Sequence, residues 1–451
     1  MDTLEQAAIQ RLCGALAIPT VSAAGTPPQL ARFADLHAYL RRQYPLVHSK
    51  LENETVMEHS LFYRWPGGAG RPFALLAHLD VVPVESGTED DWTHPPFAGV
   101  ADDTTIWGRG ANDVKCLVIA ILEGVESLLA QGYTPDCDIY LCFGHNEEVL
   151  AGGPESGAAA MARLLESRNV RLRFVLDEGG AVITDSFMGL SVPIATIGIA
   201  EKGYCDFTLT AEGAGGHAAE PPNDTAVTNL SRLLLALKPA PPRLSATVEG
   251  TLKAIGKSKT GPLGFVLRHP RAFWPVLRPI LLQNKQTAAM LRTTCVATQL
   301  AAGTQANVLP QSATATLNAR ILPGESKETL LNRVEEASRR LGITSYTSIL
   351  RYSPPPRETP SQTETFARLG GLAKDIFGAV ALPYMVTGCT DSREYTGVAD
   401  EIYRFYPFSL TFEELDSMHS TNERLQCASF LKGITFITRF IQKSSGGKDG
   451  N

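Results

Sequence analysis

Three apolar runs, each ending in acidic residues or a histidine, constrain the fold more than any other feature of the sequence. They are PFALLAHLDVV (72–82), YLCFGHNEEV (140–149) and RFVLDEGG (173–180). Continuous apolar runs of this length are typical of strands buried on both faces of a sheet. Between the first two, CLVIAILEGVESLLAQG (116–132) repeats apolar residues at helical spacing. This alternation predicts an α/β domain with a largely parallel or mixed sheet.

A different pattern begins near residue 200. The segment SATATLNARILPG (312–324) alternates apolar and polar residues, which predicts a strand with one buried face. A helix and another strand are expected after it, followed by a stiff proline-rich return. We therefore predict a smaller α+β domain inserted into the first. The predicted boundaries are 1–198 and 357–443 for the first domain, 199–356 for the inserted domain with an elaboration at about 240–300, and 444–451 for a disordered tail.

Composition and charge exclude several partners. The net charge is −6 and no basic tract is evident, so nucleic acid is not expected. The N-terminus lacks the basic start and apolar core of a signal peptide. The most apolar stretch, residues 265–282, contains three arginines, so no membrane span is expected. Eight scattered cysteines without a C-x-x-C pair fit reduced thiols, which predicts a cytoplasmic protein.

Five residues, three of them near the ends of the apolar runs, are candidates for a metal site. His78 and Asp80 are two apart, so on a strand they share a face, and a carboxylate can hold one ring nitrogen while the other binds a metal. Taken alone, each candidate has an ordinary explanation. Asp113 in a glycine turn would be a helix N-cap. Asp177 would be a turn acid, and His419 a polar histidine without a special role.

Together these residues make a stronger case, because ligand sites of α/β sheets lie beyond the carboxyl ends of the strands. Two histidines with three or more carboxylates suit zinc or a similar divalent ion. A pair of cations would also balance the adjacent carboxylates Glu147 and Glu148, which repel each other. Neighbours on a strand face opposite ways. One of the two is therefore assigned to the metal and the other to a water molecule.

The sequence resembles the co-catalytic zinc exopeptidases and deacylases, which include aminoacylase, acetylornithine deacetylase, succinyl-diaminopimelate desuccinylase and glutamate carboxypeptidase. Within that family it is most similar to the branch of carboxypeptidase S and the N-fatty-acyl-amino-acid hydrolases. The resemblance extends to about residue 440. It is carried by the ordered motifs AHLDVVPV, WTHPPFAG, WGRGANDVK, GHNEEV, LDEGG, GGHAAEPP, LRTTCVATQLAAGTQANVLP, NARILPGES, TDSREY and MHSTNERL.

The resemblance implies a di-zinc catalytic domain with an inserted ferredoxin-like lid and dimerisation domain, hence a homodimer. It implies two zinc ions per subunit, for which cobalt or manganese could substitute. Asp113 would bridge the two ions. The remaining ligands would be His78 and Asp177 on one ion, and His419 and Glu148 on the other.

Further roles follow from the same resemblance. Glu147 would be the general base, and Asp80 would orient His78. His217 would stabilise the oxyanion, in related enzymes from across the dimer. The residues implied for substrate binding are Asn307 and Arg320, which would grip a free carboxylate, and Gly388, Asp391 and Arg393, which would shape the pocket. Cys116, Cys389 and His145 depart from the usual family pattern.

We therefore expect a hydrolase that cleaves an amide bond next to a free carboxylate, in a short peptide or an N-acyl amino acid. The apolar stretch 265–282 could line a channel for a long acyl chain or could pack in an ordinary way. One alternative is a dipeptidase that recognises a free amine, for which Asp391 is the candidate acid. The other alternative is a metal-bound scaffold protein without catalysis.

Overall fold

The computed structural model describes residues 3–23, 25, 30–150, 153, 155–186, 190 and 192–446. Its strands are β1 (Glu52–Val56), β2 (Ser60–Trp65), β3 (Gly70–His78), β4 (Val100–Ala101), β5 (Thr105–Trp107), β6 (Cys137–Gly144), β7 (Leu172–Asp177), β8 (Val182–Ile183), β9 (Ile194–Glu201), β10 (Gly203–Glu212), β11 (Gly216–His217), β12 (Thr294–Ala302), β13 (Val308–Leu309), β14 (Ser312–Ile321), β15 (Ser345–Ser353), β16 (Val380–Val386), β17 (Ala399–Arg404), β18 (Ser409–Leu410) and β19 (Arg424–Gln426).

Helices pack against the sheets that these strands form. They are α1 (Thr3–Leu16), α2 (Leu30–Gln43), α3 (Pro45–Lys50), α4 (Lys115–Ala130), α5 (Glu147–Leu150), α6 (Gly157–Ser167), α7 (Ala226–Ala236), α8 (Ala246–Lys257), α9 (Gly261–Arg268), α10 (Trp274–Leu281), α11 (Lys285–Leu291), α12 (Lys327–Leu341), α13 (Glu364–Phe377), α14 (Phe412–Asp416) and α15 (Cys427–Ser445). A 3-10 turn at Asp391–Gly397 follows β16.

The larger sheet is mixed, as predicted. Its order is β1-β2-β6-β3-β7-β17-β9-β8-β18, with β16 paired to β9. The central strands β6, β3, β7 and β17 run parallel to one another. Their carboxyl ends therefore meet at one edge of the sheet. The ends of the three apolar runs, which carry His78 and the acidic residues, therefore lie together at this edge.

Helix α4 packs its buried face against the centre of this sheet. Leu117, Ile121, Val125 and Leu128 are at most 2% exposed and pack in the main core. The helix ends at Ala130, and Gly132 follows with a positive φ of 72° that glycine adopts without strain. The predicted apolar face and the predicted helix end agree with the structure.

The smaller sheet has the antiparallel order β12-β14-β10-β15. Along β14 the residues alternate between buried and half-buried from Ala313 to Ile321, and the buried ones form a second core with α7 and α12. Read along the chain, β10, α7, β12, β14, α12 and β15 give the β-α-β-β-α-β order of a ferredoxin-like unit. The predicted fold class, α/β with a smaller inserted α+β domain, is confirmed.

The segment between α7 and β12 packs differently from the prediction. It forms α8 to α11, and Val248, Leu252, Leu281 and Leu291 join the main core with Leu382 of β16. In space this segment therefore covers the large sheet, although in sequence it interrupts the smaller domain. The physical reason is that its buried residues find their apolar partners on β9 and β16 rather than on β10 and β14.

The described part of the C-terminus is helical further than predicted. Ser444 and Ser445 are buried at the end of α15, and the left-handed Gly446 caps the helix. The remainder of the predicted tail, residues 447–451, lies outside the described residues. Within the described residues, no helix has the length and apolar character needed to cross a membrane.

Helix α1 offers a matched test of how much the main core contributes to stability. Leu12 is 0% exposed, whereas Leu4, two turns earlier, is 77% exposed. We expect Leu12→Ala to lower the free energy of unfolding by about 2–5 kcal/mol, because it leaves a cavity. Leu4→Ala should change it by less than about 0.5 kcal/mol. Denaturant unfolding followed by circular dichroism would measure both, and equal effects would contradict the assignment of α1 to the core.

Candidate metal centre

Two histidines flank one carboxylate at the carboxyl edge of the large sheet. His78 Nε2 lies 3.2 Å from Asp113 Oδ1, and His419 Nε2 lies 2.8 Å from Asp113 Oδ2. Each oxygen of Asp113 thus faces a different histidine. The arrangement suits a carboxylate that bridges two cations, one on each side.

Each histidine has a further carboxylate beside it. Glu178 Oε1 lies 3.3 Å from His78 Nε2, and Glu148 Oε2 lies 3.3 Å from His419 Nε2. Glu147 Oε2 is 4.0 Å from His78 Nε2. The possible ligand atoms of His78, Glu147 and Glu178 lie within 4.8 Å of one another, and so do those of His78, Asp113 and Glu148. Nitrogen and oxygen donors at this spacing can hold a divalent cation.

Asp177, which the resemblance implies to be a ligand, does not point into this cluster. Its two oxygens accept hydrogen bonds from the backbone N–H groups of Glu178 (2.9 Å) and Ser392 (2.7 Å). The side chain of Glu178 reaches His78 instead. The physical reason is that β7 ends at Asp177, so that the alternation of faces places the next residue in the cleft.

Asp80 contacts both His78 and the acidic pair. Its oxygens accept hydrogen bonds from the backbone N–H groups of Glu147 (3.1 Å) and Glu148 (3.3 Å). His78 Nδ1 lies 2.9 Å from the Asp80 carbonyl oxygen and 3.4 Å from its carboxylate. One fully buried carboxylate therefore fixes both the imidazole ring and the start of α5, which carries the acidic pair.

The turn that carries Asp113 is held by Glu423, a residue that the sequence reasoning missed. Glu423 is fully buried. One of its oxygens accepts hydrogen bonds from the backbone N–H groups of Gly110 (3.0 Å), Asn112 (2.8 Å) and Asp113 (3.0 Å). The other accepts one from Arg109 Nη1 (2.6 Å). The available signal was its position in MHSTNERL, four residues after His419.

The pKa values show how strongly these acids disturb one another. Burial raises the pKa of Glu178 to about 8 and that of Glu148 to about 7, and the Asp113 carboxylate adds to both. Burial also raises the pKa of Glu147 well above its usual range, with Glu178 and Glu148 adding to the rise. Hydrogen bonds to Asp113 and Glu148 raise the pKa of His419 to about 10. The cluster is short of positive charge, which a bound cation would supply.

An unsatisfied oxygen supports the same conclusion. Glu148 Oε1 is buried and accepts no hydrogen bond from the described residues. A buried carboxylate oxygen without a partner is costly. It is satisfied if the group binds a metal ion, so the residues present fit a dinuclear site.

Asp391 is buried near the cluster and not on an open face. Its Oδ1 lacks a hydrogen-bond partner among the described residues, and its Oδ2 would lie only 2.2 Å from a Cβ added at Gly144. Glycine at position 144 is therefore required for Asp391 to fit. Burial raises the pKa of Asp391 well above its usual range, with the Asp177 carboxylate adding to the shift.

His217 and Asn307 lie together in the smaller domain. Ala218 N–H donates to the carbonyl oxygen of Asn307 (3.1 Å), where β11 pairs with β13. His217 is exposed and its Nδ1 accepts from Ala219 N–H (3.1 Å). Among the described residues, no hydrogen bond or ion pair joins His217 to the metal-binding cluster. The structure thus does not bring His217 to the cluster of its own chain.

Arginines from both domains surround Cys389 in the loop before the 3-10 turn. Arg393 Nη1 donates to Cys389 Sγ (3.0 Å), and Arg320 Nη1 lies 3.6 Å from the same sulfur. Arg320 also lies over the Tyr204 ring, 4.6 Å from its centroid. No described atom lies within 4 Å of a Cβ added at Gly388. The loop therefore offers open space beside positive charge.

Two contacts at this loop were not predicted. Arg351 of β15 donates from Nη1 to the carbonyl oxygen of Val149 (3.0 Å), one residue after Glu148. The fully buried Glu201 accepts from the backbone N–H and the hydroxyl of Thr390, at 3.3 Å and 3.0 Å, and lies 3.3 Å from Arg393 Nε. These contacts tie the smaller domain and the 388–393 loop to the site.

Comparisons with known proteins agree with this geometry. Residues 74–443 match the sequence profile of Peptidase family M20/M25/M40. The chain is 33% identical over 421 residues to the probable carboxypeptidase S-like 2 of Dictyostelium discoideum, covering 91% of this chain and 79% of that protein. It is 32% identical over 459 residues to the N-fatty-acyl-amino acid synthase/hydrolase PM20D1 of Mus musculus, covering 99% and 89%.

A solved structure shows the same fold. It is an M20 family metallo-carboxypeptidase from Sulfolobus solfataricus, with a TM-score of 0.71 and 17% sequence identity. The alignment covers 98% of this chain and 99% of that one. The family resemblance seen in the sequence motifs is thus confirmed.

Glu423 provides a test of the supporting network. We expect Glu423→Gln to weaken metal binding by about 10- to 100-fold, because the Asp113 turn loses its charged acceptor. Competition with a chromophoric chelator would measure the affinity, and circular dichroism would check folding. The matched control is Glu123→Gln, which removes another carboxylate paired with an arginine, Arg11, outside the site. Equal metal affinity in Glu423→Gln and the control would contradict this role for Glu423.

Proposed function

The chain belongs to peptidase family M20/M25/M40, a metallopeptidase family, and from this premise we propose that it hydrolyses an amide bond next to a free carboxylate. The observation that carries the proposal is the position of Asp113 between His78 and His419, with Glu178 and Glu148 behind the histidines. This donor set suits two zinc ions.

The residues divide into two proposed ligand sets that share Asp113. His78 and Glu178 would complete one set, and His419 and Glu148 the other. Bound zinc would lower the pKa of a water molecule towards neutrality and polarise the scissile carbonyl group. The protein holds the donors in place through Asp80 and Glu423, whose hydrogen bonds reach the backbone on both sides of the cleft.

Glu147 is the proposed general base. It belongs to the same cluster but lies farther from His78 than Glu178 does, 4.0 Å against 3.3 Å. Its backbone N–H is fixed by Asp80. A buried carboxylate that is not taken up as a ligand can accept a proton from the attacking water and donate it to the leaving nitrogen.

Arg320 is the proposed anchor for the substrate carboxylate. Its guanidinium group is half-buried, stacks on Tyr204 and lies beside the open space at Gly388. A planar guanidinium group can bind a carboxylate through two parallel hydrogen bonds. Asn307, on the two-stranded ribbon with His217, would contribute after the smaller domain closes over the cleft.

We propose C-terminal residues of short peptides and N-acyl amino acids as the substrate class, following the names of the similar proteins.

The idea that residues 265–282 line a channel for a long acyl chain is not supported. Leu267 and Leu277 pack in the main core, and Phe265 is exposed. Only Leu281 of this segment lines the apolar cavity beside β16, which otherwise lies between α8 and α11 and has a volume of about 20 Å³. That space holds about one water molecule and not an acyl chain.

A homodimer is proposed as the working form. The edge strand β12 pairs with β14 on one side and exposes Val296 (58%) and Leu300 (69%). An exposed edge of this kind favours pairing with a second copy about a two-fold axis. His217 could then serve the cleft of the partner subunit.

The dipeptidase alternative is disfavoured, because Asp391 is buried behind Gly144 and does not face open space.

Substitution of the acidic pair separates catalysis from metal binding. We expect Glu147→Gln to lower kcat by at least about 100-fold, the usual contribution of a general base, while both metals stay bound. Glu148→Gln is the matched control at the next residue and should reduce the bound metal. Metal content by mass spectrometry and turnover of an N-acyl amino acid would be measured together. Wild-type turnover in Glu147→Gln, or turnover that survives removal of the metal by a chelator, would contradict the proposal.

The carboxylate anchor has its own test. An N-acyl amino acid should be cleaved about 10- to 100-fold more efficiently than the corresponding amino acid amide, since a charged hydrogen bond is lost with the amide. In Arg320→Met this preference should disappear, mainly through kcat/KM for the carboxylate substrate. Steady-state kinetics with the two substrates measures it. A preference that persists in Arg320→Met would place the anchor elsewhere.

A further inference from the structure

The segment that forms α8 to α11 has a charge opposite to that of the rest of the chain. Between Glu249 and Glu325 the sequence contains no Asp or Glu, although the whole chain has 47 acidic residues and a net charge of −6. This feature is not evident as a motif in the sequence, because the cations are spread over several turns and never form a run. Within the helices and their connections the basic residues are Lys253, Lys257, Lys259, Arg268, Arg271, Arg278 and Lys285.

The outer face of α10 is apolar, although the helix already buries its other face. Leu277 and Leu281 are at most 6% exposed, whereas Val276 and Ile280 are 58% and 57% exposed. Val276 and Ile280 are four residues apart, so they lie together on the outer face. A helix that is apolar on both faces normally has an apolar partner on both faces. The described chain covers only one of them.

Helix α9 extends this apolar face. Leu263 and Phe265 are each 52% exposed. The Phe265 ring lies 5.9 Å from the ring of Phe273, which precedes α10, and 4.7 Å from that of His269. The two short helices therefore form one surface, which we call the α9–α10 face and define by Leu263, Phe265, Val276 and Ile280.

Cations occur on the helices that carry this face and on the helices next to them in sequence. Lys257, Arg278 and Lys285 are exposed and form no ion pair with any described residue. Lys253 and Arg271 share a single acid, Glu249, at 2.7 Å each. Positive charge is thus in excess around a set of exposed apolar side chains. Short helices with aliphatic and aromatic residues on one side and Lys or Arg around them are typical of segments that lie in a membrane interface.

We propose that the α9–α10 face docks on an anionic lipid surface. The apolar side chains would enter the boundary between headgroups and acyl chains, and the surrounding cations would meet the headgroup charges. The charge distribution favours one orientation, since the remainder of the chain is strongly acidic and is repelled by the same surface. A protein partner would need a matching acidic rim, whereas a lipid surface supplies both properties at once. The inference is independent of the proposed hydrolysis.

Vesicle flotation of the full chain tests the proposal. We expect the protein to float with vesicles of phosphatidylcholine containing about one-third phosphatidylserine, and not with phosphatidylcholine alone. Raising the salt concentration should weaken binding. Neutralising three cations with Lys257→Gln, Arg278→Gln and Lys285→Gln should lower the affinity roughly a hundredfold. These side chains are exposed, so the variant should fold normally.

The apolar contribution is tested separately by Val276→Ser with Ile280→Ser, which should reduce flotation with anionic vesicles. The matched control is Val227→Ser with Leu235→Ser, since both residues are exposed on α7 (44% and 86%) but lie outside the α9–α10 face. Equal binding to both vesicle types, or wild-type binding by the Val276→Ser, Ile280→Ser variant, would overturn the proposal. A change of oligomeric state in that variant, without any flotation of the wild type, would assign the face to a protein interface instead.

Discussion

Repulsion among buried carboxylates is the constraint on which the site depends. The parallel strands β3, β6 and β7 end side by side, and each delivers acids to the same edge. Burial first, and then the neighbouring carboxylates, raise the pKa values of Glu147, Glu148 and Glu178 above their usual range, even with two histidines beside them. The fold therefore favours cations on electrostatic grounds before any chemistry is considered. Asp80 and Glu423 fix the backbone of Glu148 and Asp113, two of the proposed ligands.

Much of this could be predicted from the sequence, because the relevant signals are local. Apolar runs gave the strands, alternation gave the buried face of β14, and strand ends gave His78 and the acidic pair. The choice between Asp177 and Glu178 could not be made that way. It depends on the residue at which β7 ends, and the contact of Asp177 with the backbone of Ser392 joins segments more than 200 residues apart.

The segment from α8 to α11 shows a second limit. Its place against the large sheet was not expected, because its partners on β9 and β16 are distant in sequence. Its charge was hidden for another reason. A net charge averaged over 451 residues conceals a 75-residue stretch without acids. Local charge balance, judged element by element, would have revealed it.

The long sequence separation between Asp113 and its partners His419 and Glu423 has a consequence for biosynthesis. Asp113 emerges from the ribosome early. His419, which contacts it, and Glu423, which holds its turn, lie 306 and 310 residues later. A nascent chain cannot complete the cleft until His419 and Glu423 have been synthesised. Any loading of ions is therefore expected only after that point, and products truncated before His419 should remain without metal.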